Sequence, residues 1–155
     1  HICLLWMSTI MKNKWDKRYI AMAKEIAQWS KDPSKKVGAI AVKDRRVIAT
    51  GYNGYPMGIE DKNLDDREYK YKYTVHAEKN MIYNACRHGV SLVDSTVYVY
   101  GLPVCGECWK GLAQVGVSRV VMPSIKDDEP RWHESCSHGY NGMKEVGIEV
   151  NIYDN

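Results

Sequence analysis

Four residues carry the chemistry this chain could do: His76 and Glu78 in His76-Ala77-Glu78, and the cysteines of Cys105-Gly106-Glu107-Cys108. A cation such as zinc takes imidazole nitrogen and thiolate sulfur. Three protein ligands leave a fourth position open for catalysis, whereas a closed set of four makes a structural site. Here the candidate ligands number three: His76, Cys105 and Cys108. Glu78, two residues beyond the histidine, is the carboxylate needed to take a proton from an activated water and hand it on. A purely structural site has no use for a carboxylate that does not bind the ion. The pattern therefore reads as hydrolysis by a metal-activated water, with Glu78 moving the protons.

The spacing says which elements must position these groups. Cys105 and Cys108, three apart, share a face on the first turn of a helix. His76 and Glu78, two apart, cannot share a face in mid-helix, so both reach one cavity only if their helix points at it end-on. Two helix N-termini are expected at the site, where unpaired N–H groups and the positive end of the helix dipole favour thiolates. A C-x-x-C alone is common in zinc knuckles and redox sites, and an H-x-E alone arises by chance. Together and in this order they form the signature of enzymes in which activated water attacks C4 of cytosine or C6 of adenine.

The chain has 155 residues, 45% of them hydrophobic, which suits one domain with a real core. Five cysteines are an odd set without the density of a disulfide scaffold, which points to a reducing, cytoplasmic setting and to metal use of the close pair. Twenty-two basic and 19 acidic residues, interspersed for a net charge of +3, make no nucleic-acid footprint. The apolar start, His1 to Met7, is too short to span a bilayer and lacks a basic region or cleavage site. Residues 1–12 are read as a leader and residues 13–155 as the domain; no membrane partner is expected.

Along the chain, Lys14 to Ser30 repeats apolar residues at helical spacing and stops at Asp32-Pro33. Val37 to Val42 reads as a strand covered on both faces, Arg46 to Thr50 as its hairpin partner across Lys43-Asp44-Arg45. Glu60 to Tyr73 reads as mostly solvated surface with a short helix. Thr74 to Arg87 is the second main helix, stopped by Gly89, and Ser95 to Tyr100 a strand leading to the cysteines. A helix over Gly106 to Val115, a strand over Arg119 to Met122, a helix over Arg131 to Glu145 and a strand over Ile148 to Tyr153 complete the alternation, which predicts parallel pairing. Asp127-Asp128-Glu129-Pro130 is expected to be an exposed loop. His133, Cys136 and His138 do not converge on one helix face, so a core cysteine with surface histidines is expected there rather than a second metal.

From about Lys14 to Tyr153 the residues resemble the deoxycytidylate (dCMP) deaminase branch of the cytidine deaminase superfamily. The likeness is carried by Ser30-Lys31-Asp32-Pro33-Ser34-Lys35-Lys36-Val37-Gly38-Ala39, Gly51-Tyr52-Asn53-Gly54-Tyr55-Pro56, His76-Ala77-Glu78-Lys79-Asn80, and the cysteine pair followed by Trp109-Lys110-Gly111-Leu112. The resemblance implies a three-layer α/β/α cytidine deaminase-like fold with a five-stranded mixed sheet. It implies zinc on His76, Cys105 and Cys108 with Glu78 as proton shuttle. Asn53 then resembles the family asparagine that contacts the nucleoside sugar, the Ala77 N–H a donor to the pyrimidine carbonyl, and Ser34 and Lys36 a segment that could hold a 5′-phosphate. The pattern departs from most relatives where Val104 follows Pro103. Thr74 stands where some dCMP deaminases place a histidine for a second zinc.

The leading expectation is zinc-dependent hydrolytic deamination of dCMP to dUMP and ammonia, feeding thymidylate synthesis, by a homo-oligomer, either dimer or hexamer. Its partner is a small-molecule nucleotide and not a nucleic acid, because Lys35-Lys36 suits one phosphate and no basic stripe suits a backbone. The alternatives are another deaminase substrate (free cytidine, a modified deoxycytidylate, or adenosine in tRNA) and a non-catalytic zinc module.

Overall fold

The computed structural model describes the backbone of residues 2–125 and 130–154, and the side chains of residues 14–125, 130 and 132–154. The side chains of the leader expected over 1–12 and residues 127–129 of the loop expected over 127–130 lie outside the described residues, while Pro130, expected in that loop, opens a helix, where its missing N–H costs no hydrogen bond. Helix α1 spans Ile2–Ala27, followed by β1 (Gly38–Lys43), β2 (Arg46–Tyr52), α2 (Arg67–Tyr73), α3 (Ala77–Arg87), β3 (Thr96–Tyr100), α4 (Cys108–Gln114), β4 (Arg119–Pro123), α5 (Pro130–Glu145) and β5 (Glu149–Tyr153). The first helix thus starts well before Lys14 and ends at Ala27. Among the described residues, no helix is long and apolar enough to cross a membrane.

The five strands form one mixed sheet in the order β2-β1-β3-β4-β5. β1 runs antiparallel to both β2 and β3, while β3, β4 and β5 are parallel, as the strand-helix alternation predicts. The β1–β2 hairpin turns on Asp44 and Arg45, both at positive φ (52° and 61°), the pairing whose twist matches the flanking strands.

Alternation along β1 builds the layers. Ile40 and Val42, with Tyr98 and Val121, meet Tyr19 and Ala23 of α1 on one face. Ala39 and Ala41, with Val97, Val99, Val120 and Met122, meet Met81 of α3, Leu112 of α4 and Met143 of α5 on the other. The result is the α/β/α sandwich implied by the resemblance. α1 is also tied across the sheet by Asp16, whose carboxylate oxygens accept from Arg119 at 2.6 and 3.0 Å and from the Tyr98 hydroxyl at 2.7 Å. Both partners of this ion pair are mostly buried.

Gly51, in β2, lets α3 approach the sheet closely enough for the site to form. A Cβ at Gly51 would stand 2.5 Å from the Ala77 carbonyl oxygen and 2.9 Å from the Met81 Cα. Asn80 and Asn84, one turn apart on α3, then donate to the Tyr52 and Thr50 carbonyls of the edge strand, both at 2.8 Å. The far end of α3 closes as predicted. Gly89 takes φ 68° and donates to Cys86 O, and the Val90 N–H reaches back to Ala85 O at 2.9 Å.

Candidate metal centre and its pocket

The helix expected from Thr74 begins instead at Ala77, because Val75 is held extended by a two-way backbone bridge to Gly54. This makes His76 the N-cap and puts Ala77 and Glu78 in the first two helical positions. The first intrahelical bond runs from the Asn80 N–H to His76 O, so the N–H groups of Ala77, Glu78 and Lys79 have no partner within the helix. On the opposite side, β3 ends at Tyr100 and Gly101-Leu102-Pro103-Val104 lead to Cys105. Gly101, at φ 108°, has no room for a side chain against the Lys36 carbonyl. The helix expected from Gly106 starts at Cys108, so Cys105 sits on the preceding turn and Cys108 at the helix start.

These elements bring the three predicted ligands together. His76 Nδ1 lies 3.3 Å from Cys108 Sγ and 3.5 Å from Cys105 Sγ. All three ligand atoms lie within 4.8 Å of one another. A tetrahedral zinc with ordinary bond lengths would hold nitrogen and sulfur about 3.6 Å apart, so the set has the right size as well as the right donors. Cys108 is fully buried, Cys105 nearly so, and Glu78 is 4% exposed.

The electrostatics follow from burying four titratable groups together. The Cys105 thiol is pushed down to about 3, first because the Cys108 thiol donates to it; His76 and the N–H groups of Cys108 and Glu107 add to this, against the cost of burial. The Cys108 thiol is pushed up for the reciprocal reason, with burial and the Glu78 charge adding. His76 is raised chiefly by its hydrogen bond to the Cys105 sulfur. Glu78 is pushed up to about 7 by burial and then by the Cys105 charge, against the opposing influence of His76. A divalent ion held by these groups would keep both sulfurs ionised and the imidazole neutral. One imidazole and two thiolates fit zinc.

A cavity of about 770 Å3 opens in front of this cluster. Ser34, Asn53 and Ala77 line it, as do His76, Glu78 and Cys105. Lys36, expected at a phosphate, does not. In the extended stretch before β1, Lys35 and Val37 face the cavity and Lys36 faces away, as alternation requires. The Asn53 amide is engaged in shaping that same stretch. Its oxygen accepts from the Val37 N–H and its nitrogen donates to Lys35 O, both at 2.9 Å.

Two groups of wall residues escape sequence reading. Lys70, in a charged stretch that reads as solvated, is 8% exposed and lines the cavity. Its ammonium donates to Asp32 Oδ1 at 3.0 Å and to Ser34 Oγ at 2.8 Å. Burial would raise the Asp32 carboxyl, but donors from Ser34, Lys70 and Lys35 outweigh it and hold the group below the ordinary carboxylate value. The available signal was the i, i+3, i+4 set Arg67, Lys70 and Tyr71, all of which reach the cavity from α2. The second group, Trp132 and Cys136, comes from α5. Cys136 is buried while His133 and His138 are exposed, as expected, but this cysteine borders the site, and burial pushes its thiol up to about 11.

Residues 13–124 match the sequence profile of the cytidine and deoxycytidylate deaminase zinc-binding region. The chain is 39% identical over 142 residues to an uncharacterized deaminase encoded in the luxG 3′ region of Aliivibrio fischeri, covering 90% of this chain and 94% of that one. It is 37% identical over 135 residues to a probable deoxycytidylate deaminase of Drosophila melanogaster, covering 78% of this chain but only 65% of the fly protein. Its fold matches the crystal structure of the cyanophage S-TIM5 dCMP deaminase in complex with dCMP and dUMP, with a TM-score of 0.72 and 27% identity over 88% of this chain and 95% of that one. The profile takes in more than half of the chain, including both the His76-Ala77-Glu78 and the Cys105–Cys108 motifs, so the chain belongs to the cytidine and deoxycytidylate deaminase family.

Proposed function

We propose that this chain is a zinc-dependent deaminase that hydrolyses dCMP to dUMP and ammonia, with His76, Cys105 and Cys108 holding the ion and Glu78 carrying the protons. The observation that carries this reading is the placement of Glu78. It is buried beside three convergent ligands without being one of them, at the floor of a cavity large enough for a mononucleotide. When bound, zinc supplies the Lewis acidity that lets water lose a proton near neutral pH. Glu78 is suited to take the proton of the attacking water and give it to the pyrimidine N3, and then to take the proton of the new C4 hydroxyl and give it to the amine as the C4–N bond breaks and the carbonyl forms, so one group serves addition and elimination.

The remaining contacts are assigned from the cavity wall. The unpaired Ala77 N–H, at the start of α3, is suited to the pyrimidine carbonyl. Asn53 donates one amide hydrogen to Lys35 O, and its second is suited to the sugar. Ser34 and Lys70, already hydrogen-bonded to each other, are suited to the 5′-phosphate, with Lys35 on the same wall. This moves the phosphate role from Lys36 to Lys70. A homo-oligomer, dimer or hexamer, is supported by Trp29 and by Tyr52 at the end of the outer strand β2, both exposed and in edge contact; sedimentation reads it directly.

Ammonia release from dCMP, CMP, deoxycytidine, dCTP, tRNA and a cytosine-containing oligonucleotide tests the function. Highest efficiency on dCMP is expected. Equal efficiency on nucleoside and nucleotide, or better turnover of a polynucleotide, overturns the assignment.

A further inference from the structure

We propose that Ser135, on α5, is a positioning residue for the Cys105 ligand: its hydroxyl holds the Cys105–Gly106 peptide so that the Cys105 sulfur keeps its place beside His76 and Cys108. The proposal rests on the zinc reading of those three residues.

Of the three, Cys105 is the ligand that regular structure does not hold. His76 is the N-cap of α3 and Cys108 opens α4, whereas Cys105 lies on the turn between β3 and α4. The N–H groups of that turn show what fixes it. Those of Glu107 and Cys108 favour the Cys105 thiolate. That of Trp109 goes to the Cys105 carbonyl at 3.3 Å. The remaining one, on Gly106, points the other way and donates to Ser135 Oγ at 3.0 Å. Rotating the Cys105–Gly106 peptide would break this bond and leave a half-buried N–H without an acceptor. The partner comes from 29 residues further along the chain.

The helix that supplies the hydroxyl is seated to do so. Gly139 lies one turn beyond Ser135 on the same face. A Cβ there would stand 2.6 Å from the Val104 carbonyl oxygen and 3.0 Å from that of Cys105. A Cβ on Gly142, further along, would stand 2.6 Å from the Trp109 ring. From the other side, a Cβ on Gly106 would come within 3.1 Å of the His138 ring and 3.3 Å of Ser135 Oγ. Backbone and turn are thus in direct contact, and small displacements of α5 pass to the Cys105 peptide.

Outer-shell hydrogen bonds of this kind set metal affinity, and losing one typically weakens it about 10-fold or more. The test is zinc retention against a competing chelator for the full chain, Ser135→Ala and Ser135→Thr, together with the absorption of the cobalt-substituted forms and the melting temperatures of the metal-free forms. Ser135→Ala is expected to release zinc at about 10-fold lower chelator and to shift the thiolate-to-cobalt bands, with a metal-free melting temperature lowered only by the few degrees that one lost hydrogen bond costs; Ser135→Thr, which keeps the hydroxyl, is expected to hold zinc within about twofold of the parent. Equal zinc retention by Ser135→Ala and the parent overturns the proposal. So does an equal loss in both variants that tracks a fall in metal-free melting temperature, since Ser135 would then only stabilise the fold. A parent chain that takes up no zinc removes the reading of the triad itself, and this proposal with it.

Discussion

Replacing Glu78 by glutamine separates what the carboxylate does for catalysis from what it costs the fold. Glu78 is 4% exposed, and its carboxyl in the metal-free cluster is pushed from 4.5 to about 7. A carboxyl raised this far binds its proton more tightly folded than unfolded. The parent therefore pays no penalty below about pH 4.5, loses stability as pH rises, and carries the full penalty above about pH 7. A displacement of this size corresponds to about 3 kcal/mol, an upper figure because the Cys105 charge titrates with it. Glutamine keeps the shape and cannot ionise. Its amide hydrogens have a cost in the buried site, on the order of 1–3 kcal/mol, but that cost does not change with pH. The quantity to measure is thus the stability difference between metal-free Glu78→Gln and metal-free parent, by denaturant unfolding at pH 5 and pH 8. The difference should move in favour of the variant by about 2–3 kcal/mol over that interval. The zinc-loaded variant should keep its metal while kcat falls by about 10³-fold or more. A difference that stays flat with pH would refute the buried, charge-penalised carboxylate, and turnover near the parent's would refute its role as proton carrier.

Two further outcomes follow from the cavity wall and the sheet. Lys70→Met should raise KM for dCMP by about 10-fold or more while leaving the poor use of deoxycytidine little changed, and Lys36→Ala should stay within about twofold of the parent on both; steady-state kinetics on the two compounds decide it. Gly51→Ala places a Cβ on the backbone of α3, so denaturant unfolding should show a loss of about 1–3 kcal/mol, with weaker zinc retention because the helix carrying His76 has to move.

The convergence of His76, Cys105 and Cys108 was legible in the sequence because its information is local. Two short motifs name the donors, and their spacing already demands helix ends pointing at a common point, which is what α3 and α4 supply. The parallel β3-β4-β5 order was legible for a similar reason, since alternating strands and helices leave little choice of topology. What could not be read were contacts made across the fold. Lys70 looks like one more solvated cation until α2 folds over Asp32 and Ser34. Ser135 carries no motif and matters only because α5 lies on the cysteine turn. Lys36 and Lys35 are alike in type, and only the pleat of the stretch before β1 decides which one faces the cavity. Asn53, which the resemblance assigns to the sugar, has its amide bonded to the backbone of Val37 and Lys35, across the fold from its own turn.

If His76, Cys105 and Cys108 hold one catalytic zinc, stripping the protein of metal and following dUMP formation from dCMP as zinc is titrated back will show it. Activity should be absent at the start, rise in proportion to added zinc and level off at one ion per chain. Full turnover by the metal-free protein, or a plateau reached only at two ions per chain, would contradict it.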